Sequence, residues 1–237
     1  GNECGAASNF SSAKTEMKKY DSRPIFYCNE DKNVSYSDLH SNMYPTVNAT
    51  SSKSSGANGK PYFICEYAHA MGQAVGNLKE YWDVIESSNG IIGGCIWDWV
   101  DQAIYEPLEL KKGIRRLHTG YDFPGPHQGN FCSNGVIPAT REESAKLAEV
   151  KAAHQFVKFL VLHVSEDKQT VDVRLTNGYA FQDLSAFDFV YDVVHNGNIV
   201  ATKRMKLPAV LPGTAHGISF KLPKVNLKKA HAKGEEV

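Results

Sequence analysis

The spacing of apolar side chains changes character near residue 152. Before it, short apolar runs alternate with segments whose apolar residues recur every three or four positions, the pattern of strands joined by helices in a parallel sheet. Phe10, Ala13, Met17 and Tyr20 step by three, four and three and predict a helix with one apolar face, stopped by Asp21-Ser22-Arg23-Pro24. Residues 25–28 read as a strand, a weaker strand ends at Met43-Tyr44, and Tyr62-Phe63-Ile64-Cys65 is the clearest buried one. Between the last two, residues 48–60 are rich in Ser, Gly and Asn and read as a loop. Val75, Leu78, Trp82 and Ile85 mark a helix, residues 91–97 another strand, and residues 141–153 a further helix with Leu147 and Val150 on one side. From there back to about residue 98 no period is clear, and a connection that long inside a domain is usually functional or mobile.

After residue 152 the period becomes two. Val171, Val173 and Leu175 alternate with polar residues, as do Phe187, Phe189, Tyr191 and Val193, and then Ile218, Phe220 and Leu222. Asn196-Gly197 is a hairpin dipeptide. Two domains are therefore expected: residues 1–152 with α/β texture, and residues 153–237 as an antiparallel sandwich that is short of a closing strand.

Composition narrows the class. The 237 residues are 42% hydrophobic and 22% charged, which excludes disorder and collagen. Twenty-six basic residues balance 26 acidic ones, so nothing draws the chain to nucleic acid or to an anionic membrane surface. No apolar run reaches the roughly 18 residues of a spanning helix. The five cysteines include no C-x-x-C pair, which argues against a zinc site or a disulfide scaffold, and Cys28, Cys65 and Cys95 read as small buried thiols. The chain opens on Gly1-Asn2-Glu3 without Met or a signal pattern and is expected to be a piece of a longer polypeptide.

The candidate chemistry sits at strand ends. Glu66 closes the clearest buried strand, where desolvation penalises a charge that neither works nor is paired. It is followed by Tyr67-Ala68-His69-Ala70-Met71-Gly72, a turn of the kind that builds sites at the C-terminal edge of a parallel sheet. Glu3 lies between small residues just ahead of the first helix. Two acids on neighbouring strand ends are the pair that glycoside hydrolysis uses, although a structural ion pair or a helix cap would explain either one alone. Trp97-Asp98-Trp99 ends the next strand, and indole faces suit sugar rings as well as they suit a core. Tyr44 is in position to hydrogen-bond a carboxylate. His69 reads as a binding group before a base, and Asn134, in Phe131-Cys132-Ser133-Asn134-Gly135, as a ligand for an ion or a hydroxyl, or part of a simple turn.

The runs from Ile64 to Gly72, Leu78 to Trp82 and Gly93 to Gln102 closely resemble the nucleophile region of bacterial β-galactosidases of glycoside hydrolase family 2. Gly1-Asn2-Glu3-Cys4-Gly5 resembles that family's acid/base motif, Met43-Tyr44 its active-site tyrosine, and residues 131–135 its monovalent-ion and sugar-binding segment. The resemblance implies the C-terminal half of a (β/α)8 TIM barrel followed by an incomplete immunoglobulin-like β-sandwich. It implies Glu66 as nucleophile, Glu3 as acid and base, Asn2 on the 2-hydroxyl, Tyr44 steadying Glu66, and His69, Trp97 and Asn134 lining a galactose pocket. Phe131 and Asn134 would lie beside Na+, and Glu3 would ligate Mg2+, with the other ligands upstream of this chain. A β-galactoside substrate, the rest of the parent polypeptide, a homo-oligomeric parent and a bacterial cytoplasmic or periplasmic setting follow from the same likeness. Where the family carries a helix, Thr50-Ser51-Ser52-Lys53-Ser54-Ser55-Gly56 has little reason to form one. Two other readings remain open: a catalytically incompetent fragment, and a carbohydrate-binding module that would leave both acids unexplained.

Overall fold

Strands β1 (His40–Met43), β2 (Tyr62–Tyr67) and β3 (Ile91–Ile96) form a parallel sheet in that order. The computed structural model that contains them describes residues 2, 3, 5, 7–28, 34–55, 59–72, 74–129 and 131–237. Residues 1–154 and 155–237 make two separate units. In the first, β2 is the middle strand, and Tyr62, Ile64, Cys65, Glu66 and Tyr67 are all buried, as expected of a strand covered on both faces. Helices α1 (Asn9–Met17), α2 (Val47–Ser51) and α3 (Leu78–Ser87) belong to this unit, and α3 buries Leu78 and Ile85 against Tyr62, Ile64 and Tyr67. Val150 and Ala153, from a helix at residues 145–154, complete the same core.

A polar network ties that last helix to the sheet. His154 turns its Nδ1–H to the Val150 carbonyl at 2.8 Å, which leaves Nε2 to accept from the Tyr67 hydroxyl at 3.1 Å. The Tyr67 oxygen in turn accepts from the Trp82 indole at 2.9 Å. Burial pushes the Tyr67 hydroxyl up to about 12, so it stays protonated and keeps the network directional.

Several local expectations are corrected. Residues 25–28 are not a strand: the Ile25 N–H is taken by the Asp38 carboxylate at 2.8 Å and the Tyr27 N–H by the Ser37 hydroxyl at 3.3 Å, so side chains replace a ladder. The tract after Tyr44 does begin with a helix, α2, because Thr46 caps it by accepting from the Ala49 N–H and the helix buries its own Thr50. Helix α1 ends at Met17 and buries none of its residues, so its apolar stripe is unburied apart from Phe10, whose ring meets Tyr27 and Tyr36. Cys28 and Cys65 are buried but Cys95 is exposed. The acid-motif residues Gly1 and Cys4 lie outside the described residues.

Residues 98–138 carry more structure than their sequence suggests. Strand β4 (Ile104–Tyr105), α4 (Pro107–Lys111) and β5 (Leu117–His118) form a small antiparallel unit. It is fastened by polar pairs: His118 Nε2 lies 2.7 Å from Glu109, and Arg116 2.7 Å from Asp122. The helix at residues 145–154 then becomes α5 (Ala145–His154).

The second unit is antiparallel throughout. Strands β6 (Val157–Ser165) and β7 (Thr170–Asn177) pair, β8 (Asp188–His195) and β9 (Asn198–Lys206) form a second sheet, and β10 (Ala215–Lys221) flanks β7. Asn196 and Gly197 both have positive φ, +46° and +78°, as a two-residue primed turn requires. Val171, Val173, Leu175 and Ile218 face a core that Phe189 of β8 joins. A short helix, α6 (Leu227–Lys233), capped by Asn226, ends the unit where no further element is legible in the sequence.

Asp38 shows how the first unit responds to acid. Its carboxylate accepts from the Ile25 N–H, pairs with Lys14 and lies 3.4 Å from Lys18, which together hold it down at about 2. A depressed folded-state value means the unfolded chain binds the proton more tightly, so the stabilisation is present above about pH 4 and fades as pH falls towards 2. Asp38→Asn is expected to cost about 1–2 kcal/mol at pH 7 and almost nothing at pH 2, read as urea midpoints at the two pH values.

Candidate active site

The parallel register brings the C-terminal ends of three strands to one edge. Met43 pairs with Glu66 and Tyr67 with Ile96, so Tyr44, Glu66 and Trp97 leave the sheet side by side. The Tyr44 N–H donates to the Glu66 carbonyl at 2.7 Å, and its hydroxyl donates to Glu66 Oε2 at 2.8 Å. Burial, then the bond to Glu66, then the charges of Glu66 and Glu3 push the Tyr44 hydroxyl well above its ordinary value. Tyr44 is thus a permanent donor within electrostatic reach of both acids.

A cavity of about 400 Å³ opens over this edge. Asn2, Glu3, Tyr44, Glu66, His69, Trp97, Phe131 and Asn134 all line it, which is the whole set of candidate residues. Glu66 is only 9% exposed, although it bears a carboxylate. The His69 ring stands between those of Tyr44 and Phe131, at 5.8 and 5.7 Å, and its Nδ1 accepts from the Met71 N–H at 3.3 Å. The neutral ring therefore carries its proton on Nε2, as a donor. Glu3 and Tyr44 on the cavity wall, and Ala68 next to His69, have left-handed φ, 52°, 48° and 47°.

Asn134 is fully buried, and neither atom of its amide has a hydrogen-bond partner. A buried amide is costly to leave unpaired, so its placement on a cavity wall makes it a candidate for contact with a ligand. Its neighbour has to be glycine: a Cβ on Gly135 would stand 2.2 Å from the Asp101 nitrogen and 2.3 Å from the Ile137 carbonyl oxygen. Two lining residues, Gln102 and Gln128, were not singled out from the sequence, because both are exposed amides in the stretch without a period. Gln102 ends the WDWVDQ run and donates to Asp98 at 3.2 Å, which was the available signal.

The metal positions fit unequally. The partnerless side-chain oxygen of Asn134, Oδ1, is the hard, neutral donor that a sodium ion takes, and Phe131 lines the same cavity. Magnesium asks for several oxygen ligands, usually including carboxylates. Among the described residues no three His, Cys, Asp or Glu side chains are grouped so as to hold a metal ion.

Residues 1–159 match the family described as glycosyl hydrolases family 2, TIM barrel domain, and residues 173–237 match β-galactosidase, domain 4. Similar proteins include the β-galactosidase of Priestia megaterium, 35% identical over 94% of this chain and 21% of its own length. Those of Photobacterium profundum and Actinobacillus pleuropneumoniae are 31% and 28% identical, over 96% and 95% of this chain and 23% and 22% of their own lengths. The chain thus spans between a fifth and a quarter of the length of these relatives. With its barrel-domain match covering more than half of its residues, the chain belongs to glycosyl hydrolase family 2.

Proposed function

We propose that the polypeptide containing this chain hydrolyses terminal β-D-galactosides with retention, through a covalent galactosyl-enzyme intermediate. One observation carries the reading: two glutamates, a tyrosine hydroxyl bonded to one of them, and a buried unpaired amide share one sugar-sized cavity at the end of a parallel sheet. Glu66 attacks the anomeric carbon as the bond to the leaving oxygen breaks, and Glu3 gives that oxygen its proton. Glu3, now a carboxylate, takes a proton from water; the water oxygen bonds to the anomeric carbon, and the ester to Glu66 breaks. A retaining reaction asks for carboxyl groups about 5–5.5 Å apart. Tyr44 holds one Glu66 oxygen so that the other faces the sugar, while His69, Trp97, Asn2 and Asn134 bind hydroxyls and the ring face. Where sodium binds, Asn134 would be one of its ligands, and the ion would supply a fixed positive charge near the sugar.

The three-stranded sheet is read as part of the C-terminal half of a (β/α)8 barrel, which takes about 250 residues to close, and the second unit as part of an immunoglobulin-like sandwich. The rest of the parent polypeptide supplies the remaining strands and any magnesium ligands. Assaying an aryl β-galactoside with the full-length parent and with the isolated chain tests both halves of this reading. The parent is expected to turn it over, and the isolated chain to show no rate above that of its own Glu66→Gln variant. A parent without galactosidase activity would overturn the assignment, and an active isolated chain would overturn the need for the missing strands.

A further inference from the structure

Lys146 stands in the first turn of α5, where a positive charge meets the positive end of the helix dipole. What it gains there is two carbonyl groups. Its Nζ donates to the Ala70 oxygen and to the Gly135 oxygen, each at 2.7 Å, and among the described residues no carboxylate pairs with it. Each acceptor immediately follows a residue of the cavity wall: Ala70 follows His69, and Gly135 follows Asn134. Besides the contact of the His69 and Phe131 rings, hydrogen bonds link the two loops through residues 97–101: the Ala70 N–H bonds the Trp97 carbonyl, the Asp98 N–H the Asn134 carbonyl, and the Gly135 N–H the Asp101 carboxylate. The Asn134 amide has no hydrogen-bond partner of its own, so the backbone at residues 134 and 135 and the packing around the side chain aim it.

We propose that Lys146 is a positioning residue of the sugar pocket, a charged tie between the loop of His69 and the loop of Asn134 that fixes the spacing of these two side chains. The proposal rests on the galactosidase reading for its substrate, and on the hydrogen-bond geometry for the tie itself. A single ammonium reaching both carbonyls makes the two walls move as one. Losing it leaves both glutamates and Tyr44 in place, so it weakens sugar binding more than it slows bond cleavage.

The test compares Lys146→Met, which keeps the apolar stem and removes the charge, with Lys146→Arg in the full-length parent. Lys146→Met is expected to raise KM for an aryl β-galactoside about ten-fold or more, with kcat changed less than about three-fold, since a charged hydrogen bond is worth about that factor. Lys146→Arg, which can still bridge the carbonyls, is expected to recover most of the difference. Amide exchange at residues 68–72 and 132–137 should quicken in the Met variant only. Unchanged KM in a folded Met variant, or equal losses in kcat and in folded fraction, would overturn the proposal. A wild-type parent that cleaves no galactoside would instead sink the assignment of function, and unchanged exchange at both loops would then still overturn the tie.

Discussion

Glu66→Gln in the full-length enzyme is expected to lower kcat for an aryl β-galactoside by at least about 1,000-fold, because an amide has no charge with which to form the ester. The change is nearly isosteric, and the Tyr44 hydroxyl keeps an oxygen to donate to, so the folded structure should survive almost intact. Glu3→Gln makes a different prediction, since its part depends on the leaving group. An alkyl or sugar leaving oxygen needs the proton, and its release should slow by about 100- to 10,000-fold. A nitrophenolate leaves without help, so cleavage of that bond should slow far less, and the loss should move to the hydrolytic step, where a base is needed. If Glu66→Gln retained a tenth of the wild-type rate, or if Glu3→Gln slowed alkyl and nitrophenyl galactosides equally in the first step, the roles would have to be reassigned. The same pair of variants separates this chemistry from mere sugar binding, which either glutamine should largely preserve.

How much of this was legible depended on what held each segment. Strand β2 announced itself because burial on both faces demands an unbroken apolar run, and Glu66 stood out because it interrupts that run. The hairpin at Asn196-Gly197 was legible because its backbone angles exclude most other residues. Residues 25–28 misled because an apolar run cannot say whether its N–H groups will meet a neighbouring strand or, as here, the side chains of Asp38 and Ser37. The unit of β4, α4 and β5 left no period because ion pairs such as Arg116 with Asp122 fasten it, and two-residue strands are too short to alternate. All eight candidate residues of the cavity were within reach of motif likeness, and Gln102 ends one of the matching runs, whereas Gln128 of the cavity wall and Lys146 behind it were not. Those two act through where the chain folds back, and no local spacing encodes that. The left-handed backbone at Glu3, Tyr44 and Ala68 was equally silent, since none of these residue types signals it.

Gly135→Ala should be the most damaging single-methyl change in the first unit. The new Cβ would press on three backbone atoms at once: the Asp101 nitrogen at 2.2 Å, the Ile137 oxygen at 2.3 Å and the Val100 carbonyl carbon at 2.5 Å. A flexible side chain could swing away, but these atoms belong to a parallel bridge between Val100 and Ile137 and to the hydrogen bonds around it. Relief therefore means pulling residues 134–137 off residues 98–101. That movement breaks the bond from the Gly135 N–H to Asp101, carries the Asn134 amide away from its place on the cavity wall and slackens the grip of Lys146 on the Gly135 carbonyl. The expected cost is more than about 3 kcal/mol in the urea midpoint, together with a rise in KM in whatever fraction remains folded. Gly76→Ala is the control, because a Cβ there meets nothing within 4 Å and its φ is not left-handed. It should be neutral or slightly stabilising. Should the two alanines cost the same, residues 134–137 do not pack against residues 98–101 at this distance, and the wall of the cavity that Asn134 provides is built differently.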